Sequence, residues 1–277
     1  MSPHRVRKAD GSTEPFRPGK LLSSLKRSGA PAATIDEIMR EIGDIHDGVL
    51  STDVIFQKTL GRLKKELPAV ASRYSLKRAV FELGPTGFPF EDFVSELVKS
   101  LGYTTALRQT VRGACVEHEI DLIAQKDGRR IGAELKFHNS PGLKSDLKVA
   151  LYVHARFQDI EQAPAELGHR NTLDEKWLIT NTKFTSQAIQ FGICSGLTLI
   201  GWSYPAKGNL QDLVEVSGLH PITCLTTLSN AQKQQLANKG YVICRSVRDQ
   251  PEVLKEVGVG NKKVTRVLSE IYDLCSS

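Results

Sequence analysis

The chain has 277 residues, of which 40% are hydrophobic and 25% charged, with 22 glycines and 12 prolines. This composition is ordinary for a globular protein and excludes collagen-like, coiled-coil and wholly disordered classes. Lysine and arginine outnumber aspartate and glutamate by 37 to 31, and the formal net charge of +6 weakly favours anionic partners. Five widely spaced cysteines form no Cys-x-x-Cys pair, so neither a disulfide framework nor a zinc site is indicated.

No targeting or membrane segment is predicted. The first eight residues are polar and charged and lack the apolar stretch of a secretory signal. The longest uncharged run, residues 184–206, carries Thr, Ser, Gln, Gly and Pro, which is typical of a buried α/β segment rather than a membrane span. We therefore expect a soluble, cytoplasmic protein.

Residues 1–83 are predicted to form a β-hairpin followed by four helices. The hairpin turns at Asp10-Gly11 and continues to Phe16. Apolar periodicity predicts helices over 20–27, 34–42 and 69–83, and a further helix that begins after the capping triplet Ser51-Thr52-Asp53.

A cluster of helix breakers at 84–89 predicts a linker, and the periodicity changes after it. Residues 90–205 are predicted to form an α/β domain with helices over 90–101, 145–160 and 186–193 and strands over 105–111, 116–125, 130–137, 177–180 and 197–202. Residues 206–277 are predicted to form a small helical domain with helices over 229–240, 250–257 and 262–274.

Two carboxylates and a lysine lie on neighbouring predicted strands of the middle domain. Asp121 is on one strand, and Glu134 and Lys136 share a face of the next because side chains alternate along a strand. Hard oxygen ligands suit Mg²⁺, and an ammonium group can orient the attacking water or neutralise charge on a phosphate. The pattern indicates metal-assisted phosphodiester hydrolysis, with a solvated face or a salt bridge as the alternative.

The spacing from Asp121 to Glu134-Leu135-Lys136 resembles the PD-(D/E)xK nuclease superfamily, with Ile120 in place of the usual proline. Residues 90–103 and 177–188 resemble Mrr-like restriction endonucleases, and the order of elements over about 88–205 matches. The resemblance implies an α/β, restriction-endonuclease-like fold, a central mixed sheet flanked by helices. It further implies that Asp121, Glu134 and Glu91 bind Mg²⁺ or Mn²⁺. His138 continues the face of Lys136 and is a candidate contact for phosphate or the leaving group.

The hairpin and the helices after it resemble the ATP-cone, a regulatory module, over nearly all of residues 3–83. The residues that carry this resemblance are Val6 to Gly11, Glu14, Phe16, Lys20-Leu21, Ser51 to Asp53, and Tyr74 with Lys77-Arg78. It implies binding of ATP or dATP: Lys8 and Lys20 contact phosphates, Glu14 the ribose or base side, and Leu21 packs on the base, with Val6 and Ser51 as further contacts. Ala9 and Ile55 depart from the usual Arg and His, which leaves the choice of nucleotide open. The alternative is a basic hairpin without a ligand.

Residues 254–264, with Gly258-Val259-Gly260 at their centre, resemble a helix-hairpin-helix. In that motif the backbone N–H groups of the glycine turn bind a DNA phosphate, and Lys262 and Lys263 add cations here. A plain helical cap or an oligomerisation domain is the alternative.

The sequence therefore predicts an ATP-regulated, Mg²⁺-dependent DNA endonuclease, for which we expect a homodimer or a nucleotide-dependent oligomer. The competing hypothesis is a nucleotide-responsive DNA-binding regulator whose nuclease fold is catalytically degenerate. An RNA nuclease is a third, because a Glu-x-Lys site alone does not distinguish the sugar.

Overall fold

The computed structural model describes residues 5–8, 11–45, 50–140, 142–163 and 173–275. It is a mixed α/β protein with a central mixed sheet flanked by helices, which confirms the coarse fold class. Within these residues, every helix is too short or too polar to cross a bilayer. Asp10, one half of the predicted hairpin turn, lies outside the described residues.

The N-terminal segment, residues 5–83, opens with the hairpin β1 (Arg5–Arg7) and β2 (Thr13–Pro15), and β3 (Leu50–Ser51) pairs in parallel with β1. Its helices are α1 (Pro18–Arg27), α2 (Ala32–Gly43), α3 (Thr52–Glu66), α4 (Pro68–Tyr74) and α5 (Leu76–Phe81). The single helix predicted over 69–83 is wrong, because a turn at Ser75 divides it into α4 and α5. Strand β3 has only two residues, too short for a periodicity to reveal it.

The middle segment, residues 84–205, carries the central sheet. Its elements are α6 (Phe88–Ser100), β4 (Thr104–Arg112), β5 (Glu117–Lys126), β6 (Arg129–Lys136), β7 (Lys144–Ser145), α7 (Leu147–Glu161), β8 (Glu175–Thr180), β9 (Lys183–Phe184), α8 (Ser186–Ser195) and β10 (Leu197–Ile200). The strand order is β10-β8-β6-β5-β4, with β4, β5 and β6 antiparallel and β6, β8 and β10 parallel. Asp127 and Gly128 both have positive φ in the tight β5–β6 turn.

The two faces of the central sheet are covered by different helices. Leu122, Ala133 and Leu135 pack in one apolar core with α6 and with α9 (Leu210–Ser217) of the C-terminal segment, whereas Ile123 and Leu178 pack in another with α7 and α8. The end of β6 therefore lies between two helical layers, and side chains from both layers can reach it.

The C-terminal segment, residues 206–275, consists of α9 (Leu210–Ser217), a 3₁₀ turn (Ile222–Cys224), α10 (Asn230–Asn238), α11 (Cys244–Asp249), α12 (Val253–Glu256) and α13 (Asn261–Cys275). The helix predicted over 250–257 starts later, at Val253, while α9 and α11 were not predicted. Ser229 begins α10 with a capping box that includes Gln232.

Helix α5 contributes to two cores at once. Leu76 and Val80 pack in the core of the central sheet, while Ala79 packs against the C-terminal helices. The carbonyl of Ala79 also accepts a hydrogen bond of 2.6 Å from the Thr223 hydroxyl. Nearby, the buried carboxylate of Glu270 on α13 accepts hydrogen bonds from Ser72 of α4 and from the Thr226 and Thr227 amides. The N- and C-terminal segments are thus joined by buried polar contacts.

Candidate active site

Asp121 lies where the β5–β6 ladder ends. The last paired residues are Leu122 and Ala133, and beyond them the Oδ2 atom of Asp121 accepts a hydrogen bond of 2.7 Å from the Leu135 amide. Ile120 and Leu122 pack on opposite faces of the sheet, although side chains two residues apart normally share a face. This break in the alternation places the carboxylate beside the end of β6.

Arg108 adds a second irregularity on the neighbouring strand. Its φ of 53° is uncommon for a residue other than glycine, and such conformations occur often at functional sites. The guanidinium group forms 2.7 Å ion pairs with Glu91 and Asp92, both on α6. Arg108 therefore fixes the carboxylate of Glu91, the predicted metal residue of the first middle helix.

Glu134 is buried, with 8% of its surface exposed, and forms an ion pair with Arg156 of α7. The Arg156 guanidinium also donates to the Glu119 carbonyl and to the Tyr152 hydroxyl one turn earlier on the helix. Sequence reasoning missed Arg156 and Tyr152. Their i, i+4 spacing on the helix after the Glu-x-Lys strand was the available signal, since it places them on one face of α7.

The three predicted carboxylates are electrostatically coupled. Burial, followed by the charge of Asp121, raises the pKa of Glu134 to about 7 from its ordinary 4.5. Burial also raises the pKa of Asp121, against the opposing Leu135 amide. Burial and the charge of Asp121 raise the pKa of Glu91, although the ion pair with Arg108 acts to lower it. The charged form of each of these carboxyl groups is therefore less favourable than it would be in water, mainly because the groups are buried.

Lys136 and His138 continue along the same strand end. Lys136 is exposed, and its charge partly opposes the rise in the pKa of both Asp121 and Glu134. His138 is half-buried, its Nε2 atom lies 3.0 Å from the Ser145 hydroxyl, and its backbone is held by the Asn181 amide. Burial and the charge of Lys136 lower the pKa of His138, which keeps the imidazole neutral at pH 7.

The carboxylates suit a hard divalent cation. Mg²⁺ is commonly held by one or two carboxylates together with water and substrate phosphate, and Asp121 and Glu134 supply two. Among the described residues, however, no group of three His, Cys, Asp or Glu side chains is close enough to hold a metal ion. Glu91 therefore lies near the pair without completing a three-ligand set.

The predicted nucleotide residues cluster at the N-terminal hairpin. The ammonium groups of Lys8 and Lys20 lie 2.7 and 2.9 Å from the carboxylate oxygens of Glu14, and these bonds lower the pKa of Glu14 to about 2. Parallel pairing places Ser51 beside Arg7, and the Ser51 hydroxyl accepts the Val54 amide at the start of α3.

The two apolar residues of that predicted set have a different environment. Val6 and Leu21 are buried in the core of the N-terminal segment, with 4% and 7% of their surface exposed. The structure therefore brings the charged residues together on the surface and leaves the two apolar ones beneath them.

The glycine turn of the C-terminal segment joins α12 to α13. Gly258 has a φ of 74°, and Val259 between the two glycines is buried. Lys262 is exposed in the first turn of α13, whereas the Lys263 ammonium donates to Gln232 at 3.1 Å. One of the two predicted cations is thus directed into an intramolecular contact.

Three comparisons place the chain among known proteins. The family model described as AF1548-like, C-terminal, matches residues 220–275. A protein of Archaeoglobus fulgidus described as uncharacterized is 38% identical over 178 residues, which are 64% of this chain and 97% of that protein. A crystal structure described as protein of unknown function AF1548 is 36% identical, with a TM-score of 0.57 over 69% of this chain and 99% of that one. By this identity and coverage, the chain belongs to the AF1548-like family.

Proposed function

We propose that this protein is a nucleotide-regulated, metal-dependent DNA endonuclease whose active site is formed by Asp121, Glu134 and Lys136. The observation that carries the proposal is the burial of Asp121, Glu134 and Glu91 near one another, because burial raises the pKa of each carboxyl group and the charge of Asp121 adds to the rise for the other two. Perturbed acids that approach each other at a strand end are typical of sites that bind a cation or transfer protons. The resemblance to PD-(D/E)xK nucleases over about residues 88–205 selects phosphodiester hydrolysis among these chemistries.

Asp121 and Glu134 would hold Mg²⁺ or Mn²⁺, which supplies Lewis-acid activation and offsets the charge that develops on the phosphate. The protein's own groups then have distinct roles. Lys136, exposed beside both carboxylates, orients the attacking water or the scissile phosphate. Glu91, fixed by Arg108, acts as an additional acidic group, and the neutral His138 contacts the phosphate or the leaving group.

The N-terminal hairpin is the proposed nucleotide site. Two ammonium groups held on one carboxylate form a cationic cluster that a triphosphate can use, with Lys20 near the start of α1. ATP or dATP would bind there and alter the oligomeric state, and so control cleavage. The turn at Gly258 and Gly260, with Lys262 and Lys263, is the proposed contact for the DNA backbone.

The test is cleavage of labelled duplex, single-stranded and branched DNA, and of RNA, with Mg²⁺ or Mn²⁺ and with or without ATP. Wild type is compared with Asp121→Ala and Lys136→Ala. Glu117→Ala is the matched control, because it removes an exposed carboxylate from the same strand. Metal-dependent products are expected from wild type and the control but from neither site variant. If only RNA yields products, the substrate is RNA rather than DNA.

One observation favours a second function. Arg156 forms an ion pair with Glu134, so a protein cation already offsets the charge of one of the two proposed metal ligands. This pairing favours a degenerate site, and with it a nucleotide-responsive DNA-binding regulator. That function predicts no turnover with either metal, together with DNA affinity that persists in Asp121→Ala and changes when ATP is added.

A further inference from the structure

A cavity of about 300 Å³ lies where the N-terminal, middle and C-terminal segments meet. We call it the junction cavity. Its walls come from α1 and the α4–α5 region on one side and from Trp202, α9 and His220 on the other. It is separate from the residues of the candidate active site and from the Lys8–Glu14–Lys20 cluster. Ligand sites are common at such junctions between structural units.

The charged groups of the junction cavity are unbalanced. Among the described residues that line it, three are cations, Arg27, Arg73 and Lys77, and one is a carboxylate, Glu215. The Glu215 carboxylate lies 4.0 Å from the Nε atom of Arg27 and partly offsets the charge of that guanidinium group. The formal charge of these described lining residues is therefore +2, which favours an anionic ligand.

Arg73 is the most informative of these cations. Its Nε atom donates to the Ser28 carbonyl at 3.0 Å, and burial lowers its pKa. A desolvated guanidinium group gains most from an anion, because charge-assisted hydrogen bonds to phosphate or carboxylate oxygens are the strongest it can form. The pKa of Lys77 is also lowered, by desolvation of its ammonium group and by the nearby charge of Lys183, although much of the side chain is exposed.

His220 reports on the same electrostatic field. It is buried, with 5% of its surface exposed, and its Nδ1 atom has no hydrogen-bond partner among the described residues. Burial and the charge of Arg73 lower the pKa of His220 to about 4, so the imidazole is neutral at pH 7. An anion beside Arg73 would offset that charge and raise the pKa again.

We propose that the junction cavity binds a small phosphate-bearing anion through Arg73 and Lys77. The volume accommodates a phosphate group with a small organic part. Ser24 and Gln211 line the cavity too and provide neutral hydrogen-bonding groups for that part. This site is independent of the proposed nuclease activity.

Calorimetric titration of the full chain with inorganic phosphate and with ribose 5-phosphate, at constant ionic strength, tests the proposal. One binding site is expected. If ribose 5-phosphate binds more tightly than inorganic phosphate, the ligand is a phosphate ester rather than free phosphate. Lys77→Gln and Arg73→Gln should each weaken binding about tenfold or more, the size of effect expected for a lost charge-assisted hydrogen bond. Arg73→Lys should retain part of the affinity because it keeps the charge.

Two controls separate this site from others. Arg129→Gln removes an arginine that pairs with Glu175 at the other end of the sheet, and Lys20→Gln removes a cation of the proposed nucleotide cluster. Neither should change the affinity. A loss in Lys20→Gln equal to that in Lys77→Gln would place the anion at the hairpin and overturn the proposal, as would no binding of either probe.

The second readout is the pKa of His220, followed by NMR of the imidazole in the presence and absence of saturating phosphate. We expect phosphate to raise this pKa, because the anion would offset the charge of Arg73 that helps to lower it. This measurement does not depend on a variant that must fold. An unchanged His220 pKa at saturation would show that the anion binds elsewhere and would contradict the proposal.

Discussion

The free energy of unfolding of Glu134→Gln, measured relative to that of the wild type, should increase as the pH rises. The pKa of the folded carboxyl group is about 7, against 4.5 for an ordinary glutamate, so between these values the folded state binds the proton more tightly than the unfolded state. The Glu134 carboxyl group makes its full contribution to the free energy of unfolding below pH 4.5, and this contribution is lost as the pH rises through about 7. The loss is about 3 kcal/mol, since each tenfold change in a dissociation constant is worth roughly 1.4 kcal/mol.

Urea unfolding at pH 5 and pH 8 measures this difference. Glutamine resembles the protonated glutamate and still accepts a hydrogen bond from Arg156, so the variant should gain about 2–3 kcal/mol on wild type between the two pH values. Glu96→Gln, which breaks an exposed ion pair with Lys99 on α6, should change by less than about 1 kcal/mol. Mg²⁺ should stabilise wild type at pH 8 but not Glu134→Gln. An equal effect of Glu134→Gln at both pH values would refute the reasoning.

Four further outcomes follow from the structure. If Glu134 must ionise to bind Mg²⁺, cleavage at low Mg²⁺ should rise through about pH 7, and more Mg²⁺ should lower that midpoint; a flat pH–rate profile would count against it. Glu270→Ala leaves the amides of Thr226 and Thr227 without their acceptor and should cost about 2–4 kcal/mol in urea unfolding. Gly132→Ala places a Cβ atom 2.6 Å from a methyl of Leu173 and should cost about 1–3 kcal/mol by the same method. Lys262→Ala should reduce the slope of log DNA affinity against log salt by about 1; an unchanged slope would remove this lysine from the DNA contact.

The regular parts of the fold were predictable because their apolar residues repeat with a clear period. The strands β5 and β6 were predicted within one residue at each end. Two-residue strands such as β3 and β9 escaped prediction because so short a segment has no period. The turn at Ser75 was not predicted either, since α4 and α5 together carry a nearly continuous helical pattern.

The proximity of Asp121, Glu134 and Lys136 was predictable because neighbouring strands joined by a tight turn have a determined register. The cations around them were not. Arg156 arrives from α7 and Arg108 turns towards α6 through a positive φ, and neither spacing nor composition encodes such long-range contacts. The roles of these residues, like the proposed nucleotide and DNA contacts, stay predictions.

Because of the contacts of helix α5, residues 1–83 should not form a stable domain when separated from the rest of the chain. Cut after Phe81, the helix would lose the partners of Leu76 and Val80 in the sheet core and the partners of Ala79 among the C-terminal helices. A fragment ending there would expose apolar surface on two sides of one short helix, and its hydrogen bond from Thr223 would be gone. Limited proteolysis should therefore not release a stable N-terminal fragment, and transfer of this segment to another protein would require a new surface to cover α5.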